Sequence, residues 1–559
     1  MKSNTIQPLI SHFYHWEKEK ADEVFLRQPY GRTWKELTWR QAGAEARRIA
    51  SALQDMGLGH GDHIGIYSKN CYHWILADLA IMMIGAVSVP FYASLPRQQL
   101  AQVVELSDIK AIFVGKLDKW GDRAEAIPEG VQLIRFPHYE GNAPVELGRA
   151  WDELLAKYEP IVGEPAPHID DLWTIKFTSG TTGTPKGVMH VHRSPVQTMI
   201  TEYETDFIGL SRIDHIKCFS FLPLNHVGER MGVEVPCLYA GGTISFAENL
   251  DTFVDNLKDT QPTLFFAVPR IWTKFYQGVI AKLPQKRLEL LLRIPVVSGL
   301  VKKKILNELG LGAVQIAATG AAITPEYLKK WYSKLGIHLI EAYGMTEVCG
   351  SMTNSPMQDA PPDSVGVPVP NGDVRIDLDT SEILMSSPYM MKGYYKNPEK
   401  TAEVLKDGWL HSGDRGTIDE RGFVRVIGRV KDAFKTSKGS YITPNPMEEI
   451  IANNPYVEQC CVAGLGIPQP ICIVNLSEAA KTADKQAVAT SLEESRQLLN
   501  HDLANYQKVS TIIIDEDIWS ESNKLLTPTM KVRRGALDEK YGKHYLAWND
   551  AKESILWKA

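Results

Sequence analysis

The hydrophobic positions of this chain follow two periods that take turns along its first half. From Arg40 to Met56 apolar residues fall at helical spacing among many alanines, and Gly57-Leu58-Gly59 with Gly61 punctuates the end. His63 to Tyr67 then reads as a short strand, Trp74 to Ile84 as a second helix and Val87 to Tyr92 as another strand. Helix and strand alternating at this pitch predict an α/β fold, a large domain of layered helices and sheets with a mostly parallel sheet. The most apolar run, Trp74 to Tyr92, is interrupted by Asp78, Gly85 and Pro90, so a buried helix turning into a strand explains it better than a membrane span.

Downstream, Trp173, Ile175 and Phe177 alternate as one face of a half-buried strand, and Ser194-Pro195 predicts a helix start with Ser194 as cap. Phe219 to Leu224, Thr263 to Val268, Val314 to Ala318 and Gly422 to Arg429 read as strands, Pro398 to Leu405 as a short helix, and Asp407 to Asp414 as the end of a strand. Arg287 to Ile305 is apolar and flanked by Arg293 and Lys302-Lys303-Lys304. Its basic flank offers a weak peripheral contact with a membrane surface. Pro295 and Gly299 break the run, which favours a solvated pair of short helices. Past Met447 the pattern is a small α+β domain, with helices at Met447 to Ile451 and Ser491 to Asn505 and strands at Val457 to Leu465 and Ile471 to Leu476. The charged segment around Lys431 marks the boundary.

Length adds that 559 residues exceed one core, so at least two domains are expected. A net charge of −6 gives no footprint for nucleic acid. The seven cysteines include no C-x-x-C pair and their number is odd, which points to reduced thiols in a cytoplasmic protein. No signal peptide is visible between Met1 and Lys20.

The chemistry concentrates behind Phe177, in Thr178-Ser179-Gly180-Thr181-Thr182-Gly183-Thr184-Pro185-Lys186-Gly187. Glycines let backbone N–H groups approach an anion, hydroxyls add rotatable donors, and Lys186 adds a compact positive charge. Together these suit a polyphosphate, although such a cluster is more often a plain surface turn. It is not a Walker loop, because Pro185 stands where that motif needs glycine before its lysine. Two later blocks add to it. Gly320-Ala321-Ala322 leaves room for a flat base, and Tyr343-Gly344-Met345-Thr346-Glu347 combines a stacking ring, a hydroxyl and a carboxylate suited to Mg²⁺.

The 177–187 stretch closely resembles the phosphate-loop signature of the adenylate-forming superfamily, and the ordered motifs that follow resemble its long-chain acyl-CoA synthetase members along nearly the whole chain. The resemblance implies a large domain with a small β-barrel-like subdomain (1–428), a hinge (429–435) and a small mobile α+β lid (436–559). It implies ATP, Mg²⁺, coenzyme A and a fatty acid as partners, with Thr178 to Gly183 and Lys186 on the phosphates and Gly320, Ala321, Ala322 and Tyr343 around adenine. Thr346 is placed on the α-phosphate, Glu347 on the metal, His226 where the acyl chain meets the reaction centre, and Asp414 with Arg429 on the ribose. Lys531, after Leu525-Leu526-Thr527-Pro528-Thr529, resembles the catalytic lysine of the first step. Lys431 resembles the pivot, and Lys435 with Gly439 the face used for the thiol.

The chain departs from the family's pattern at Ala342, where many relatives have glycine, at Lys438-Gly439, where they often have Gly-Gly, and at Gly228, where they often carry an aromatic. The reaction implied is activation of a medium- or long-chain carboxylic acid to acyl-AMP and transfer to coenzyme A. The alternatives are an aryl or other acid–CoA ligase, a ligase loading a carrier-protein phosphopantetheine, a luciferase-like oxidation, and a nucleotide-binding regulator without turnover.

Overall fold

The computed structural model describes residues 6–179, 185–356, 359–437, 441–501, 503–527 and 530–558. The chain packs as two compact units, the first taking in the described residues up to Val374 and then Met385–Leu410, the second Arg375–Leu384 and the chain from His411 onward.

Two large sheets dominate the first unit. One runs, edge to edge, Gly393–Tyr394, Pro185–Val191, Leu172–Ser179, Val87–Phe91, His63–Ser68, Ala111–Gly115, Gln132–Arg135 and Arg149–Ala150. It is parallel from Leu172–Ser179 to Arg149–Ala150 and antiparallel at the other edge. Among the described residues the second sheet has nine strands, with Leu264–Ala267, Ile316–Gly320 and Leu339–Met345 parallel near its middle. One core joins them: all twelve residues of the helix Tyr72–Met83 are buried, against Ile64 and Ile66 of one sheet and Cys218, Ile244 and Phe246 of the other. A helix covered all round is apolar nearly all round, which accounts for the long apolar run read in the sequence as a buried helix turning into a strand. Among the described residues no helix is long and apolar enough to cross a membrane.

Most predicted elements appear within a residue or two, and the exceptions have physical causes. The strand Leu172–Ser179 is buried on both faces, Thr174 and Lys176 included, because the sheet is covered on both sides. The helix expected to start at Ser194 starts at Arg193, and Ser194 makes no cap. The strand expected over Phe219 to Leu224 is Lys217–Ser220, since the Phe221 N–H leaves the ladder to donate to the Glu229 carboxylate at 2.9 Å. Asp414 sits inside the strand Trp409–Ile418 rather than at a strand end.

The family-implied barrel does not close. Asp373–Ile376, Glu382–Ser386 and Trp409–Ile418 form an open sheet in which Leu405–Lys406 and Val424–Arg429 pair with different ends of the last strand. The ten-residue strand thus spends its pairing capacity on two short partners, leaving edges rather than a ring.

Within the second unit, Val457–Ala463, Ile471–Leu476, Ile512–Asp515 and Ile555–Trp557 make a four-stranded sheet. The helices Asn445–Ala452 and Lys485–His501 pack on one face and Arg534–Tyr541 on the other. The second of these runs from Lys485 to His501, six residues earlier at its start than the periodicity suggested. All seven cysteines are free and buried.

Candidate active site

The strands Leu172–Ser179 and Pro185–Val191 pair antiparallel, with Thr178 opposite Lys186 and Ser179 opposite Pro185. They bring both ends of the hydroxyl-rich loop to one place. Gly180, Thr181, Thr182 and Gly183 lie outside the described residues. The Lys186 ammonium sits 5.2 Å from the centroid of the Tyr394 ring. Tyr394 belongs to the edge strand paired with Pro185–Val191, and its hydroxyl donates to Glu347 Oε1 at 2.7 Å. Burial, and then the Glu347 charge, push the Tyr394 phenol above its ordinary range, so it stays a donor. The Met391 N–H donates to the Glu347 carbonyl at 2.7 Å.

A second tie comes from His190, fully buried on Pro185–Val191, whose Nε2 lies 2.6 Å from the Thr346 carbonyl oxygen. Burial, with the Lys176 cation second, lowers His190 to about 3. The ring is therefore neutral and Nε2–H donates to that carbonyl. Through His190 and Tyr394, the strand pair that opens the loop is fixed against Thr346-Glu347.

Thr346-Glu347 follows directly on the strand Leu339–Met345, which pairs parallel with Ile316–Gly320, Gly320 opposite Ala342. A Cβ on Gly320 would stand 2.7 Å from the Ala342 carbonyl oxygen, so only glycine lets these backbones approach. Ala321 follows in a left-handed conformation, φ 66°, and Ala322 is exposed. Glu341, buried before half-buried Tyr343, accepts the Thr324 N–H at 2.8 Å and pairs with Lys329. Burial raises it against the pull of Lys329. Thr324 and Glu341 thereby hold the two ends of the Gly320-Ala321-Ala322 turn.

His226 caps a short helix, its Nδ1 accepting the Gly228 N–H at 3.0 Å, which leaves the ring proton on Nε2 when neutral. A Cβ at Gly228 would meet His226 Nδ1 at 3.1 Å and the Phe266 ring at 3.3 Å, and Phe266 also lies near Gly232 and Gly320. The Phe266 ring thus occupies space beside His226 that an aromatic at position 228 would contest. Behind His226, buried Glu229 accepts from the Ser220 hydroxyl at 2.7 Å and the Phe221 N–H at 2.9 Å, while Asn70 donates to it and to the Leu222 carbonyl. Burial pushes Glu229 up to about 8. Next to it Arg230 is buried against Trp173 and Trp74, paired with Asp78 and Glu234. His226 therefore projects from a rigid polar base.

The second unit gathers three of the expected residues. Asp414 and Arg429 face each other across antiparallel strands and pair at 2.8 Å, with Asp414 buried and Arg429 half exposed. Lys531 is exposed overall, yet crowding around its ammonium lowers its pKa first, the Arg429 cation second, with Asp414 opposing. The Lys531 N–H donates to the Thr527 hydroxyl at 3.0 Å and its carbonyl accepts the Thr527 N–H at 2.8 Å, so two hydrogen bonds hold the Lys531 backbone. Lys431 and Lys435 line a recess of this unit with Asp432, Arg534 and Asp538. Gly439 lies outside the described residues, as do Lys438, Pro528 and Thr529.

Among the described residues no cluster of three metal-binding side chains occurs. A site with one carboxylate suits Mg²⁺, which takes one or two carboxylates and completes its shell with phosphate oxygens and water. Glu347 fits: half-buried, with one oxygen oriented by Tyr394 and the other able to act as a ligand. Sequence reasoning missed His190, Tyr394, Glu229 and Glu341, whose hydrogen-bond partners follow no local period or motif. Tyr394 stands just ahead of the short helix that begins at Pro398, and nothing local in the sequence ties it to Glu347.

The family model "AMP-binding enzyme" matches residues 13–395 and "AMP-binding enzyme C-terminal domain" matches 431–545, so the chain belongs to the AMP-binding enzyme family. It is 29% identical over 575 residues to long-chain-fatty-acid–CoA ligase 1 of Cavia porcellus, covering 91% of this chain and 81% of that protein. It is 29% identical over 573 residues to fatty acyl-CoA synthetase A of Dictyostelium discoideum, covering 91% and 85%. The structure of the A-PCP didomain of carboxylic acid reductase from Segniliparus rugosus, in complex with AMP, superposes with a TM-score of 0.80 at 23% identity, covering 97% of this chain and 82% of that one.

Proposed function

We propose that this member of the AMP-binding enzyme family joins a fatty acid to AMP and passes the acyl group to coenzyme A. The observation that carries the reading is the convergence of the loop-bearing strands on Thr346-Glu347 through His190 and Tyr394. A carboxylate has too poor a leaving group to be attacked by a thiol. In the first step its oxygen bonds to the α-phosphorus while the bond to pyrophosphate breaks. In the second, sulfur bonds to the acyl carbon and AMP leaves, the thiol proton passing to solvent or base.

Each residue then has a task. Lys186 and the hydroxyls around it hold the departing pyrophosphate, and Thr346 and Lys531 donate to the α-phosphoryl oxygens as charge grows there. Glu347 holds Mg²⁺, which when bound neutralises phosphate charge. Tyr343 stacks on adenine, and the buried Asp414 carboxylate accepts from the ribose hydroxyls beside Arg429. His226 Nε2–H points the acid's carboxylate toward the α-phosphate. Rotation about Lys431 withdraws Lys531 and brings Lys435 and Gly439 to the thiol. The domains implied are 1–428 and 436–559 about a 429–435 hinge. The substrate class rests on the two relatives, one a long-chain-fatty-acid–CoA ligase and the other a fatty acyl-CoA synthetase.

The test is acid-dependent exchange of pyrophosphate into ATP, followed by detection of the thioester with coenzyme A as sole acceptor. Both should be seen with fatty acids. Exchange without thioester would instead favour a carrier-protein acceptor.

A further inference from the structure

The helices Gln285–Leu292 and Pro295–Glu308 pack against each other at the edge of the first unit. Proline at the first position of the second helix explains the break between them. Their inner sides are ordinary: Leu288 is buried, and Leu292, Val301, Ile305 and Leu306 rest on the core that holds Phe265, Trp272 and Trp331. Their outer sides are not. Leu290 is 62% exposed, Ile294 45%, Val296 79% and Leu300 67%, all around the turn joining the two helices.

Cations frame this apolar tip. On the first helix the outward positions run Lys286, Arg287, Leu290, then Arg293 and Ile294; on the second, Val296 and Leu300 lead to Lys303 and Lys304 at helical spacing. Between Lys282 and Leu311 stand seven cations and two carboxylates. Both carboxylates are engaged by lysines of other helices, Glu289 by Lys334 and Glu308 by Lys258, each at 3.0 Å. The outward charge is therefore one-signed. A dimer interface would want acids to match these bases, and a solvated face would not hold four large apolar side chains in water. An anionic bilayer matches both features, taking apolar residues at the acyl boundary and cations among the headgroups.

We infer that the tip Leu290–Leu300, with its ring of Lys286, Arg287, Arg293, Lys303 and Lys304, docks this protein on anionic lipid surfaces. Docking would set the enzyme where fatty acids partition, but the binding itself does not depend on the reaction proposed above.

The experiment is co-sedimentation of the full chain with phosphatidylcholine vesicles and with vesicles half phosphatidylglycerol. We expect pelleting with the anionic vesicles and little with the neutral ones, weakening as salt rises. Each basic residue near an anionic leaflet multiplies partitioning by about five, so Lys303→Glu with Lys304→Glu should reduce it by at least about 25-fold. Leu290→Ser with Val296→Ser and Leu300→Ser should also abolish pelleting, and since these positions are exposed the melting temperature should hold. Failure of the unaltered chain to pellet with anionic vesicles would overturn the inference. So would equal binding by both variants, or a dimer in light scattering that the serine variant dissolves.

Discussion

Replacing Tyr394 with phenylalanine removes one oxygen and leaves the ring. The lost hydroxyl donates at 2.7 Å to Glu347, and hydrogen bonds to a charged group are worth about 1.5–3 kcal/mol. Glu347 is half-buried, so water can partly replace the donor and the lower end applies. At about 1.4 kcal/mol per decade, Tyr394→Phe should lower kcat/KM for Mg·ATP in acid-dependent pyrophosphate exchange roughly tenfold, relieved in part by excess Mg²⁺. Tyr394→Ala also removes the ring beneath Lys186, a contact worth about 0.5–1 kcal/mol when exposed, and should fall a further two- to fivefold. Glu347→Gln combined with Tyr394→Phe should be less severe than the two effects multiplied, because both act on one bond. If Tyr394→Phe stayed within about twofold of the unaltered enzyme, or if the effects multiplied fully, the coupling of loop strand to metal ligand would be refuted.

Further outcomes bear on other parts of the account. Lys531→Ala should lose pyrophosphate exchange by about 10²–10³-fold yet still convert preformed acyl-adenylate to thioester; equal loss of both steps would remove it from the first. Lys431→Pro should spare exchange and slow thioester formation, and an unchanged second step would argue against a pivot there. Glu229, raised to about 8 from 4.5, holds its proton in the folded chain where the unfolded chain has released it. Its contribution is therefore complete below about pH 4.5 and is lost as pH climbs to about 8. Glu229→Gln should remove this decline, gaining on the order of a few kcal/mol relative to the unaltered chain between pH 5 and 9 in denaturant melts; parallel curves for the two proteins would contradict the assignment.

How far the sequence carried depended on the range of the interaction. Local signals served well: glycine punctuation after Met56, the alternation from Trp173 to Phe177 and the Pro295 break each mark an element found in the structure. The alternation still misled about burial, because covering both faces of a sheet depends on helices distant in sequence, and Lys176 came out buried beneath them. The site was legible only as separate motifs. His190 meets Thr346 across 156 residues and Tyr394 meets Glu347 across 47, and no period or spacing encodes such pairs. The barrel failed for a similar reason, since closure is set by strand pairing at a distance and not by the count of short strands. Exposure of Leu290 to Leu300 likewise appeared only once the two helices were placed.

The central claim is that an oxygen of the acid bonds to the α-phosphorus of ATP. It is tested by supplying a fatty acid whose carboxylate carries heavy oxygen, together with ATP, Mg²⁺ and coenzyme A, and weighing the nucleotide produced. The account predicts AMP bearing one heavy oxygen, formed in step with thioester and pyrophosphate. Unlabelled AMP, or ADP with the label in inorganic phosphate, would contradict it.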